Sequence, residues 1–220
     1  MQTLSTARSE SQILSTNKVL KNTYALLAMT LLFSAAAAGV SMALNLPPFG
    51  ILITMVGYFG LLFLTTKFRD SGLGILFVFM LTGFMGLTLG PILNMYLHLA
   101  NGSQLVMTAL GGTGLIFLAL SGYVLTSRKN FSFMGGFLMV GILVAFLAGI
   151  GAAVFSIPAL SLAVSAMFVL LMSGMILYQT SEIIHGGETN YIMATVSLYI
   201  SLYNLFLSLL QLLGALGGDD

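Results

Sequence analysis

Residues 191–213 read YIMATVSLYISLYNLFLSLLQLL, a run of 23 without one charged side chain. As an α-helix this run rises about 35 Å, enough to cross a hydrocarbon core of about 30 Å. Within it, Ser197, Ser201, Asn204, Ser208 and Gln211 recur at spacings of four, three, four and three. That is a heptad seam along one helix face. Facing lipid, the amides of Asn204 and Gln211 would be costly. The seam is therefore expected to point into protein, and its helix to be the enclosed member of a bundle.

The rest of the chain agrees with a membrane solvent. Of 220 residues, 58% are hydrophobic and 6% charged, against about 25% charged in a soluble domain. The mean hydropathy is +1.06. So few charges cannot cover a water-soluble globule, which excludes a cytosolic enzyme and a secreted domain and makes the lipid bilayer a partner. A net charge of +1 offers no field for phosphates, so no nucleic-acid partner is expected.

Seven spans are read, at residues 24–44, 49–66, 72–95, 105–125, 133–155, 160–183 and 191–213. Asn45-Leu46-Pro47-Pro48 breaks the first run, because proline disfavours helix in the residue before it. Charge at Lys67, Arg69 and Asp70 breaks the next, and polar or proline-containing turns break the others. All connections are short, so neighbouring spans are expected to be antiparallel. The fold class is all-α: a polytopic membrane protein of seven transmembrane helices with the last one central. The domain reading is a flexible cytoplasmic leader over 1–18, a transmembrane domain over 19–216 and a short tail over 217–220. A signal peptide is the competing reading of the start, since Lys18, Lys21 and the Ala35–Ala38 stretch imitate its regions. The long polar lead before Lys18 favours a retained first span.

The basic residues orient the bundle. Arg8, Lys18 and Lys21 precede span one, Lys67 and Arg69 follow span two, and Arg128 and Lys129 follow span four. With seven spans all seven fall on one side. The positive-inside rule makes that side cytoplasmic, with the N-terminus inside and the C-terminus outside.

Two readings attach to the polar seam. Small and polar residues hydrogen-bond across membrane helices for about 0.6 kcal/mol each. The alternative is a polar pathway or ligand cavity. No member of the seam ionises, which favours packing. Near the end of span six, Gln179 and Glu182 lie three apart, on neighbouring helix positions. Glu182 reads either as a water-exposed helix end or as a carboxylate gating a cavity beside span seven. In span three, Gly86 and Gly90 form a GxxxG pattern with Gly83 before it, which allows close helix approach, and Pro91 is expected to kink the span. No catalytic residue, metal site or cofactor is expected. There is no Cys, the only histidines, His98 and His185, fall on opposite sides, and no Asp lies within a span.

Span three also carries a motif. Gly74-Ile75-Leu76, Gly86 and Leu89-Gly90-Pro91-x-Leu93, followed by Ala109, Thr113, Leu115, Ile116 and Phe117, resemble the signature of the Bax inhibitor family. Gly114 and Phe77 depart from it, Gly114 standing where alanine is usual and Phe77 where a small residue is usual. The resemblance implies seven helices with six wrapped around the last. It also implies a pair of ion-gating acids in some members, whose positions here hold Gln179 and Ser201. Neither can ionise, which counts against the family's pH-sensitive calcium or cation leak unless Glu182 substitutes as an ionisable gate. Residues 14–24 (LSTNKVLKNTY), 181–191 (SEIIHGGETNY), 194–199 (ATVSLY) and 201–204 (SLYN) resemble one bacterial branch of the family. That branch implies an inner-membrane regulator, not an enzyme, that negatively modulates the membrane protease FtsH and associates with FtsH and the HflK–HflC complex.

Overall fold

A computed structural model describes the backbone of residues 2–217 and the side chains from Thr16 onward. The described chain is helical apart from its connections. The helices are α1 (Gln2–Ala43), α2 (Ile51–Lys67), α3 (Gly72–Leu97), α4 (Gly102–Ser127), α5 (Gly135–Val154), α6 (Pro158–His185) and α7 (Tyr191–Gly217), with a short 3-10 turn at Ser132–Met134 before α5. Six are long and apolar enough to cross a membrane, and α2 is an apolar helix of 17 residues. At about 25 Å, α2 falls a few Å short of an average hydrocarbon core.

The helix ends follow from local chemistry. Asn45, Ser156 and Gly186 adopt left-handed backbone at φ of 48°, 50° and 78°. At each, an amide beyond the turn returns to a carbonyl of the last helical turn: Leu46 N to Ser41 O at 3.0 Å, Ile157 N to Ala152 O at 2.9 Å, and Gly187 N to Glu182 O at 2.9 Å. These closures satisfy carbonyls that the helix itself leaves free. Pro158 then opens α6, where its missing N–H costs nothing. Asn190 caps α7, its Oδ1 accepting from Ile192 N at 3.0 Å and Met193 N at 3.1 Å.

The segment read as a flexible leader has a helical backbone where it is described. Its backbone continues α1 from Gln2. No glycine or proline precedes Gly39, and a packed span already supplies the helix nucleus, so each added residue needs only propagation. The tail at 218–220 lies outside the described residues.

The last helix is central. α7 packs on α1, α3, α4 and α6, whereas α2 rests on α3 and α5 on α6. Tyr199, Leu198, Leu205 and Leu210 of α7 are among the fully buried side chains. The inner ring is thus four helices, and α2 and α5 form an outer layer.

The α1–α3 pair is the tightest seam, and the glycines explain it. A Cβ on Gly86 would sit 2.3 Å from Ser34 O, and one on Gly90 2.3 Å from Ser41 Oγ. Pro91 lies inside α3, which stays helical to Leu97. Having no N–H, it cannot bond the carbonyl of Leu87 four residues back. Ser41 Oγ of α1 donates to that carbonyl at 2.8 Å. A neighbouring serine thus satisfies the group that the proline frees, as a hydrocarbon solvent requires.

The loops that carry the basic clusters meet at one end of the bundle. Asn190 Nδ2 donates to Arg69 O at 3.1 Å and Asp70 Oδ1 at 2.8 Å. His185 Nε2 lies 3.1 Å from Arg128 O, and Thr195 Oγ1 donates to Thr23 O near the start of the first span at 3.2 Å. His98 follows α3 at the opposite end. There Asn101 Nδ2 donates to Gly217 O at 2.7 Å, joining the α3–α4 connection to the end of α7.

Candidate functional site

The polar seam of α7 divides in two. Its far half packs on α6: Gln211 Nε2 donates to Ser161 Oγ at 2.6 Å, and Ser165 Oγ donates to Gln211 Oε1 at 2.7 Å. Ser208 is buried beside them. The near half forms the floor of a cavity of about 580 Å³ between α2, α3, α5, α6 and α7. Ser197, Ser201 and Asn204 line it from α7 and Gln179 from α6.

Gln179 and Ser201, the positions that the resemblance sets against the family's acid pair, meet there. Ser201 Oγ contacts Gln179 Oε1 at 3.1 Å and its own helix at Ser197 O, also at 3.1 Å. Gln179 is 8% exposed and Ser201 2%. Asn204 Nδ2 donates to Ile200 O at 2.9 Å within α7. Thr54 and Tyr58 of α2, Thr88 of α3 and Tyr203 of α7 add hydroxyls to the lining, and Thr88 Oγ1 lies 3.3 Å from Tyr203 Oη. Phe84, Phe146, Phe168, Met172 and Met175 supply apolar walls. The lining holds no carboxylate, ammonium, guanidinium or imidazole. Such a site can hydrogen-bond a neutral polar group, but it offers no charge to balance an ion's lost hydration.

Glu182 is placed elsewhere. It is not among the lining residues. Its Oε1 accepts from Ser132 Oγ at 2.5 Å, on the segment that leads into α5. Its backbone carbonyl closes the end of α6 through Gly187 N and Glu188 N. Glu182 sits in the last turn of α6, so its side chain staples the α5 entry, whereas Gln179, one turn back, faces α7. The gate read for Glu182 has no geometric support here.

A second cavity, of about 490 Å³, lies on the other side of α7, between α1, α3 and α4. Its lining is chiefly leucine, alanine, phenylalanine and methionine, with Ser34, Thr113, Tyr199 and Tyr203. Ser34 Oγ and Tyr199 Oη are 2.5 Å apart, and Tyr199 Oη donates to Thr82 O at 3.3 Å. Tyr203 lines both cavities, and its ring stacks on Tyr199 with centroids 6.3 Å apart. Sequence reasoning missed these tyrosines. The signal was their spacing of four on the seam helix, hidden because each ring counts as apolar content.

The family model described as "Inhibitor of apoptosis-promoting Bax1" matches residues 16–218. The chain is 53% identical over 216 residues to the Escherichia coli K12 protein named "Modulator of FtsH protease YccA", covering 98% of each chain. It is 56% identical to an uncharacterized protein of Pseudomonas aeruginosa, over 92% of this chain and 91% of that one. It is 45% identical to a membrane protein of Vibrio cholerae, over 94% and 93% respectively. A glycine-packed third helix carrying the motif, a polar last helix at the centre, and these full-length matches agree, and the chain belongs to the Bax inhibitor family.

Proposed function

We propose that this chain is an inner-membrane regulator that binds the FtsH protease and slows its degradation of membrane proteins. The observation that carries this reading is the 53% identity, over 98% of both chains, to a protein named as a modulator of that protease. The basic clusters sharing one end of the bundle support an N-terminus in the cytoplasm and a C-terminus in the periplasm, by the positive-inside rule. HflK–HflC is the proposed companion complex. The route is physical. An extracting protease grips a cytosolic end of its substrate, here residues 1–17. It then has to dislocate a bundle whose α1–α3 seam is locked backbone to backbone, so the protease stays occupied.

The test is a mild-detergent pull-down of the full chain probed for FtsH and HflK–HflC, with FtsH proteolysis of a membrane substrate followed in parallel. Binding with slowed proteolysis is expected, and loss of slowing once residues 1–17 are removed. Undiminished slowing by the shortened chain overturns the grip mechanism, and no co-purification of FtsH overturns the reading itself. The cation-leak alternative finds Gln179 and Ser201 together, but in a cavity lined by neutral groups alone.

A further inference from the structure

We infer that the cavity between α2 and α5 is a binding site for a neutral single-chain lipid. Its hydroxyl or carbonyl head would hydrogen-bond at the floor formed by Gln179 and Asn204, and its alkyl chain would leave sideways into the bilayer.

Four observations carry this. First, the cavity reaches the outer layer of the bundle. α2 leans on α3 and α5 on α6, and both line the cavity. Phe59 of α2 and Phe146 of α5, also in the lining, are 55% and 47% exposed on the lipid-facing surface. Second, the floor lies deep in the membrane, because Ser201 and Asn204 fall in the middle of the 27-residue α7.

Third, the floor has unspent hydrogen-bonding capacity. The Gln179 side chain is more than nine-tenths buried. Its Oε1 is engaged by Ser201, and its Nε2 has no protein partner among the described residues. Asn204 lines the same space and uses Nδ2 on its own helix, and its Oδ1 has no protein partner among the described residues. A donor and an acceptor set against hydrocarbon are costly, and acyl chains cannot satisfy them. Fourth, the lining is neutral throughout, which disfavours an anionic head at this depth. The volume of about 580 Å³ is that of an ordinary small-molecule pocket. It suits one chain with a small head, and not a transmembrane helix, which is about 10–12 Å across. The methionines in the wall suit a chain of variable shape.

This inference does not depend on FtsH, and its test contains none. The full chain, in nanodiscs of phosphatidylethanolamine and phosphatidylglycerol, is titrated with a monooleoylglycerol analogue bearing a photoreactive diazirine on its chain. Labelled peptides are then mapped by mass spectrometry. The expected result is saturable labelling concentrated on the cavity faces of α2, α5 and α6. Unlabelled monooleoylglycerol should compete at least tenfold better than added phosphatidylglycerol. Ile142→Trp, which fills the cavity from its wall, and Gln179→Leu, which removes the floor amide, should each cut the saturable labelling at least fivefold. Should Gln179→Leu fail to fold, the competition on the unaltered chain and Ile142→Trp decide. Non-saturable labelling spread over all lipid-facing helices overturns the proposal, as does equal competition by phosphatidylglycerol or labelling unchanged by Ile142→Trp.

Discussion

The two sides of α7 solve the same problem differently. Towards α1 and α3, several hydroxyls meet a partner on another helix, Ser34 with Tyr199, Tyr199 with Thr82 O and Ser41 with Leu87 O, while Thr30 bonds its own helix and buried Thr23 Oγ1 has no partner among the described residues. Glycines let the backbones close there. Towards α2 and α5, the cavity of about 580 Å³ is lined by the amides of Gln179 and Asn204 as well as hydroxyls, whereas the cavity of about 490 Å³ towards α1, α3 and α4 is lined mainly by apolar side chains. In a bilayer, apolar burial drives helix association little, so close packing and matched hydrogen bonds supply the stability. The α1–α3 side is built to hold. The α2–α5 side retains polar groups that add little to holding, as expected of a surface kept for binding.

The difference can be broken most sharply at the glycines. Gly86→Leu places side-chain atoms into the Ser34 backbone and should cost about 3 kcal/mol, the upper range for overpacking. Gly60→Leu, on α2 with nothing within 4 Å of its would-be Cβ, should stay within about 0.5 kcal/mol. Thermal unfolding of the two variants in the same detergent checks this. Equal effects would remove the distinction between the two sides.

Next in size, Tyr199→Phe leaves buried Ser34 and the Thr82 carbonyl without their shared hydroxyl, and should cost about 1–2 kcal/mol. Gln211→Leu breaks the double link to Ser161 and Ser165 and should cost about 0.6–1.7 kcal/mol. Smallest is Gln179→Leu. Ser201 keeps its bond to Ser197 O and one interhelical hydrogen bond is lost, so stability should change by about 0.6 kcal/mol. A double-mutant cycle of Gln179→Leu with Ser201→Ala sharpens the contrast. A coupling above about 1 kcal/mol would make the floor a structural lock like the α1–α3 side.

Much of this could be read in advance, for reasons visible at particular residues. The breaks at Asn45 and at Gly186–Gly187 are local turn chemistry, which needs no knowledge of neighbours. The seam from Ser197 to Gln211 shows its face by spacing alone. Which partner that face meets is another matter. Gln211 finds two serines of α6, Asn204 bonds its own helix, and Ser197 opens on a cavity. Glu182 neighbours Gln179 by spacing on α6, yet its carboxylate bonds Ser132 and it is not among the residues lining the cavity. Thr54 and Tyr58 entered the cavity with no sequence signal, since α2 carries no polar periodicity that points to α7.

By itself, the sequence determined the solvent, the number of the helices, and the helix that had to be enclosed. These rest on hydropathy, charge placement and backbone rules that act within a few residues. Only the tertiary structure decided that α2 and α5 stand outside the inner ring, that Pro91's orphaned carbonyl is met by Ser41, and that half the seam is packed while half is open. Those outcomes depend on how side chains from distant segments share space, and spacing along one helix carries no information about the surface opposite it.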